Sequence, residues 1–447
     1  MSNEDGVAAD HNRRALFWIC VLALFTAAIA FSLRTAISGA IQADVFDKID
    51  SARSAELVGG ALGAAFGGFA LSLLAVSPIL DILGAKRVLL FASLCYVAGP
   101  LLIVSAPMLG SNPTAAGDLV WWGMGLSGLA WGCTEGSINP VIAALYPTEK
   151  TRRLNMLHSW WPAGIIVGGL ANVLVFQPLN IGWQVQIAMI AIPGLALGLW
   201  TTTQTFPKTE RTQNGVSFTS MIAEPFRHPT FWIFFVIMFM TASTELAPGS
   251  WVDVTLTHTV QMKGILVLVY VSALMFVMRN FAGPLAHRFS DVGLLWFCTV
   301  PAGIGLYLLS VANSPTTALV AATVWAFGVC FMWPTMLAAV AQRYPRGGSW
   351  TIGLVGFAGA LATQFVLPKL GAIYDNAKLA HAGGKAAYDT LERHGGVPLA
   401  EVLSYAAKAS FQTVALIPVV LFVVFAVVWL AERSGRFGGN SLTAPAE

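Results

Sequence analysis

The chain has 447 residues, of which 56% are hydrophobic and 11% charged. Soluble domains carry about 25% charged residues, so lipid rather than water is the main solvent implied here. A net charge of +3, with the Lys and Arg residues in short clusters rather than a stripe, argues against a nucleic-acid partner.

Windows of about 19 residues, each long enough for a hydrocarbon core of about 30 Å, predict an all-α polytopic membrane protein. The predicted spans are 15–43, 57–80, 88–108, 118–146, 154–177 and 183–204, then 229–257, 263–286, 292–312, 316–343, 349–373 and 409–432. Arg13 and Arg14 before the first run, with Ala28-Ile29-Ala30 after it, mimic a signal peptide, but the apolar stretch is too long for one and cleavage is not expected. Cys20, Cys95, Cys133, Cys298 and Cys330 each stand alone in an apolar stretch and read as buried free thiols.

These spans give two six-helix bundles, 15–204 and 229–432, joined by a polar linker at 205–228 and flanked by tails at 1–14 and 433–447. Arg13, Arg14, Lys86, Arg87, Arg152 and Arg153 fall on one side, as do Arg288, Arg343, Arg346 and Arg433. Fewer bases fall on the other side, so the positive-inside rule puts both termini and the linker in the cytoplasm, as for a cytoplasmic (inner) membrane protein. The sizeable loop from Tyr374 to Tyr405, with Gly383, Gly384, Gly395 and Gly396, reads as a flexible extracytoplasmic excursion.

The halves echo each other. Ser77 to Arg87 ends the second span with Asp81, Gly84, Lys86 and Arg87, and Gly283 to Gly293 ends the eighth with Gly283 and Arg288. Each is a short turn of the kind that needs glycine, with charges able to latch one face of a bundle; an ordinary positive-inside loop is the other reading. A second echo pairs Asn139-Pro140 in the fourth span with Trp333-Pro334 in the tenth. Each proline frees a backbone carbonyl within a span, which is tolerated only where protein or a water cavity meets it. Gly59, Gly63 and Gly67, and Gly353, Gly356 and Gly359, form small faces that suit close contact between the moving halves or static packing.

The turn after the second span resembles the signature of the major facilitator superfamily, with Asp81, Gly84, Lys86 and Arg87 matching and Ser77 and Ile82 departing. The resemblance implies that fold, with these residues and Gly283 and Arg288 as a cytoplasmic gate. Glu135-Gly136-Ser137-Ile138-Asn139-Pro140 and Leu154-Asn155-Met156-Leu157-His158 resemble the fucose:proton symporters, as do Glu245, Gly249-Ser250-Trp251 and Trp333-Pro334-Thr335. Arg34 departs from that pattern, where an acid is expected, and looks more like the organic anion:cation symporters.

A charge near the bilayer centre costs at least about 2.5–3.5 kcal/mol, so each one calls for a reason. The candidates are Arg34, Glu135, Glu245, Asp253, Arg279 and Lys369. Glu135 lies about 16 Å deep at about 1.5 Å per residue and is the expected proton-coupling site. Desolvation there favours the neutral acid and a nearby cation such as Arg34 favours the carboxylate. Arg34, in the outer half of its helix, either anchors a substrate carboxylate or hydroxyls through its planar fork or snorkels to the interface. Arg279 either reaches the cytoplasmic surface or pairs with a second-half acid, while Asp253 and Lys369 read as interface residues.

Aromatic rings stack on sugar faces, and His, Asn and Gln bond hydroxyls. The expected substrate site is thus Arg34, Asn139, His158, Trp161, Glu245, Trp251, Trp333 and Gln364. Nothing in the sequence resembles a nucleotide loop, a metal cluster or a nucleophile triad, so neither an enzyme nor a cofactor other than a coupling proton is expected. The expected function is proton-coupled symport of a sugar or sugar-derived solute by a monomer. An organic anion such as a sugar acid, or export of a drug or metabolite, are the alternatives.

Overall fold

A computed structural model describes residues 12–434 except 110, 147–149, 210–211, 213–214, 258, 261 and 282–287. Every regular element among the described residues is helical. The spans are α1 Arg13–Ala36, α2 Ser54–Leu83, α3 Ala85–Leu109, α4 Pro113–Leu145, α5 Met156–Phe176 and α6 Trp183–Thr202. The second six are α7 Thr230–Leu256, α8 Gly264–Met278, α9 Asp291–Val311, α10 Pro315–Arg343, α11 Gly348–Ala382 and α12 Val397–Arg433.

Local chemistry sets many boundaries. Asn12 caps α1 and Asn112 caps α4 by accepting from Ala15 N and Ala115 N, and Ser314 with Thr317 forms a capping box ahead of Pro315. Gly84, at φ +78°, turns α2 into α3. The five cysteines are free and buried, as their apolar settings suggested.

Two predicted segments differ. The stretch 374–405 is not an irregular excursion: α11 runs on to Ala382, a helix spans Lys385–His394, and α12 starts at Val397, twelve residues before the expected boundary. Gly383, Gly384, Gly395 and Gly396 all have positive φ, so they punctuate three helices rather than loosen a loop. Within the predicted span 263–286 the described residues form an α-helix over Gly264–Met278 and then a 3₁₀ turn at Arg279–Phe281; 282–286 lie outside the described residues. The linker holds an amphipathic helix, Phe218–Arg227, capped by Ser217.

The two sets of six helices meet along α2 and α11. A Cβ on Gly59 would lie 2.6 Å from the Leu367 carbonyl oxygen, one on Gly63 would lie 2.7 Å from that of Gln364, and one on Gly371 would lie 2.2 Å from that of Ala55. The small face of α2 is therefore a backbone-to-backbone seam. At the face away from the chain termini, polar clamps join the halves. Gly39 N donates to Asp253 Oδ2 at 3.3 Å and Glu56 N to Asp375 Oδ2 at 2.8 Å. Lys378 pairs with Asp375 at 2.7 Å, donates to Ser51 O and lies over the Tyr388 ring. Asp253 is thus part of a clamp rather than an interface anchor.

Lys378 is 2% exposed, so removing its partner leaves a buried charge. Asp375→Ala is expected to lower stability by about 3–5 kcal/mol, read by thermal unfolding in detergent, whereas Asp375→Leu with Lys378→Met recovers most of it. Equal losses in the single and double variants would contradict the buried pair.

Candidate functional site

The chemistry begins with a break in α10. Its helix is interrupted at Cys330 and Phe331, and Pro334, four residues beyond Cys330, has no N–H to give the Cys330 carbonyl. That carbonyl instead accepts from Arg279 Nε at 3.1 Å. A proline-freed backbone group within a span has found a protein partner, as the sequence required.

Arg279 is held on two further sides. Nη2 lies 3.7 Å from Glu245 Oε1 on α7, and Nη1 donates to His158 O on α5 at 3.5 Å. His158 Nε2 lies 2.9 Å from Asn139 Oδ1, and Asn139 Nδ2 donates to Glu135 Oε2 at 3.2 Å and to Glu135 O at 3.1 Å. Because the Asn139 amide gives its N–H to Glu135, its oxygen accepts, so His158 Nε2 carries the hydrogen. A polar chain therefore runs Glu245, Arg279, His158, Asn139, Glu135, from α7 and α8 of the second half to α5 and α4 of the first.

Glu135, Asn139 and Trp333 line a cavity of about 290 Å³ between α2, α4, α10 and α11. Phe69, Leu73, Ser77 and Ser349 contribute to its wall, and Thr209 and Val216 of the linker lie at its end toward the chain termini. Beside it stands a column of rings. Trp131 stacks on Trp161, with centroids 4.8 Å apart, and on Phe69, at 4.2 Å; Phe69 faces Trp333 at 6.1 Å. Trp131, Glu135 and Asn139 follow one another at four-residue spacing, so one face of α4 presents ring, carboxylate and amide together.

Other expected site residues lie elsewhere. Arg34 is 3% exposed and makes no ion pair among the described residues. It has not snorkelled, and its buried Nη1 has no hydrogen-bond partner. Arg34 and Glu135 form no ion pair among the described residues; Glu135 is instead linked through Asn139 and His158 to Arg279. Trp251 is enclosed in the core at 1% exposure and does not line the cavity. Gln364 lies in the α2 seam against Gly63 and Gly67, with its side-chain oxygen unpartnered. Lys369 is exposed on α11.

Among the expected gate residues, Asp81 accepts a hydrogen bond from Thr209 of the linker. Lys86 donates to Thr202 O and Gln204 O at 2.7 and 2.9 Å, closing the end of α6 within its own half rather than reaching across. Arg87 is exposed, Arg288 lies exposed beside the Phe289 ring, and Gly283 lies outside the described residues.

The sequence profile of the Major Facilitator Superfamily matches residues 17–366. The chain belongs to this superfamily. It is accordingly an integral membrane transporter of small-molecule solutes, not an enzyme. No curated protein matches the sequence. Among solved structures, a D-xylose-proton symporter superposes with a TM-score of 0.68 at 14% identity, over 90% of this chain and 96% of that one. The Escherichia coli fucose:proton symporter gives 0.56 at 15%, over 90% and 98%. A bacterial homologue of the human lysosomal transporter Spinster, in an inward-facing conformation, gives 0.66 at 16%, over 96% and 99%. At such identities these structures share the fold with this transporter.

The ring column makes a checkable claim. Trp131→Ala leaves a gap between Trp161 and Phe69 and is expected to cost about 3–5 kcal/mol, with loss of the near-ultraviolet circular dichroism of the stacked indoles. An unchanged near-ultraviolet spectrum would contradict the stacking.

Proposed function

We propose that this transporter carries a sugar or sugar-derived solute together with a proton by alternating access, with Glu135 as the site of proton coupling. The observation that carries the reading is a half-buried carboxylate in the wall of a cavity between the two halves. The cavity holds both kinds of group a sugar needs: the Trp333 ring for its apolar face, and Glu135, Asn139, Ser77 and Ser349 for its hydroxyls. Its volume lies at the small end of ligand pockets, about 300–1,000 Å³, in keeping with a solute of monosaccharide size. The xylose and fucose symporters among the structural neighbours support the same reading.

In this proposal the chain sits in the cytoplasmic membrane with both termini inside and works as a monomer with no cofactor beyond the proton. The cavity then faces the cytoplasm, while the Asp253 and Asp375 clamps hold the outer side together. Separation of the α2 and α11 seam at the clamped end would give the other state of the cycle.

Arg34 favours a second reading, in which the solute is an acid. A buried guanidinium without a carboxylate partner is costly, and a substrate carboxylate would complete it through a planar fork.

Two measurements test these readings. In proteoliposomes acidified outside, Glu135→Gln is expected to abolish pH-driven accumulation of the solute while retaining exchange of solute at equal concentrations; retained uphill accumulation would overturn the coupling assignment. A thermal-shift screen of neutral sugars and their acids across pH identifies the class. Stabilisation by acids that disappears in Arg34→Gln selects the second reading, and stabilisation by neutral sugars selects the first.

A further inference from the structure

We propose that Glu135 and Glu245 share a single proton, with Arg279 serving as counter-ion to whichever of the two is ionised. The inference rests on the coupling role of this cluster and adds to it the second carboxylate, the arginine and a count of one proton.

The argument is one of charge and tethering. Two carboxylates and one guanidinium occupy the polar chain that joins the halves. With both acids ionised the cluster carries an excess negative charge inside the membrane; one proton makes it neutral. The other titratable groups facing it do not supply a balancing charge. His158 on α5 acts as an N–H donor to Asn139, Cys330 on α10 and Cys298 on α9 are buried thiols, and Tyr96 on α3 bonds with Thr134. Arg34 on α1 makes no ion pair with either acid among the described residues, and Asp253 is engaged by Gly39 and Thr257.

Neither carboxylate is fully satisfied. Glu245 lies 3.7 Å from Arg279, longer than a charge-assisted hydrogen bond of about 2.8 Å, and its Oε2 is buried without a hydrogen bond of normal geometry, the Trp333 backbone N–H being a neighbouring donor. Glu135 has Asn139 on Oε2 and is joined to Arg279 through Asn139 and His158 rather than by a direct ion pair. Arg279 is thus placed between two acids and fully committed to neither.

The tether gives the arrangement a direction. Cys330 and Glu245 belong to the same half as Arg279, so these three travel together, whereas Glu135 travels with the first half. Where the halves separate, Arg279 stays with Glu245 and the proton resides on Glu135, whose place in the cavity wall gives it access to water. Where they close, Arg279 can serve Glu135 and the proton passes to Glu245. A protonated acid and an ionised acid exchange places, and no charge is created or lost in the step.

Infrared difference spectroscopy of the protein in lipid vesicles, without any solute, reads the carbonyl stretch of protonated carboxyl groups. If the two acids share one proton, Glu135→Gln and Glu245→Gln each remove the same band, because the remaining acid ionises against Arg279. Arg279→Gln is expected to raise that band about twofold as both acids become protonated, and Arg279→Lys to keep it at the wild-type intensity. Loss of the band in only one of the two glutamine variants would assign the proton to a single residue and overturn the proposal. Independent bands, lost one with each variant, would do the same. Should Arg279→Gln fail to give a monodisperse protein, the two glutamine variants and Arg279→Lys still decide. If the infrared pattern holds while Glu135→Gln retains uphill transport, the shared proton stands and the coupling reading falls.

Discussion

A proline in the middle of a membrane span leaves one carbonyl without its backbone donor, and in hydrocarbon that carbonyl must be supplied from elsewhere. Here Pro334 frees the Cys330 oxygen and Arg279 fills the vacancy. The polar centre of the protein depends on this exchange. It draws a cation inward from the end of α8, and the cation brings Glu245 into an ion pair and reaches the His158 carbonyl across the division of the chain. A broken helix, an inward-turned arginine and a contact between halves are therefore consequences of one missing N–H.

Around that centre the two halves touch through very different materials. Along α2 and α11 the contact is backbone on backbone, made possible by the absence of side chains at Gly59, Gly63 and Gly371. Beside the cavity it is ring on ring, from Trp161 through Trp131 and Phe69 to Trp333. At the face away from the termini it is carboxylate on backbone amide. Glycine seams and flat rings permit sliding at small cost, whereas carboxylate clamps give discrete closed geometry. The alternating cycle proposed above would need both kinds of contact.

Much of this was legible in the sequence because membranes simplify the rules. Apolar length marks the spans, the prolines at 140 and 334 mark the irregular backbone, and the spacing of Gly59 and Gly63 marks a close approach that the structure contains. The structure brings Glu135, Asn139 and His158 into one hydrogen-bonded chain and places Trp333 in the same cavity wall as the first two. Arg279 pairs with a second-half acid, one of its two expected placements, whereas Arg34 does not meet Glu135, because depth along a helix says nothing about azimuth. Arg34 turns into its own bundle near Tyr96, and Arg279 into the joint. Trp131 could have been found from its place one turn before Glu135, but a tryptophan in a lipid-bathed helix has many ordinary reasons to be there. The segment 374–405 misled because glycine pairs signal positive φ equally well in loops and between helices.

The bond from Glu56 N to Asp375 has one more implication. Glu56 stands in the first turn of α2, where a backbone N–H has no partner within its own helix, so a side chain 319 positions along the chain is acting as that helix's cap. Caps are ordinarily local and permanent; this one exists only while the two halves are together at that end. Parting them there would unseat the start of α2 as well as widen a gap, so secondary structure itself becomes conditional on quaternary-like docking within a single polypeptide.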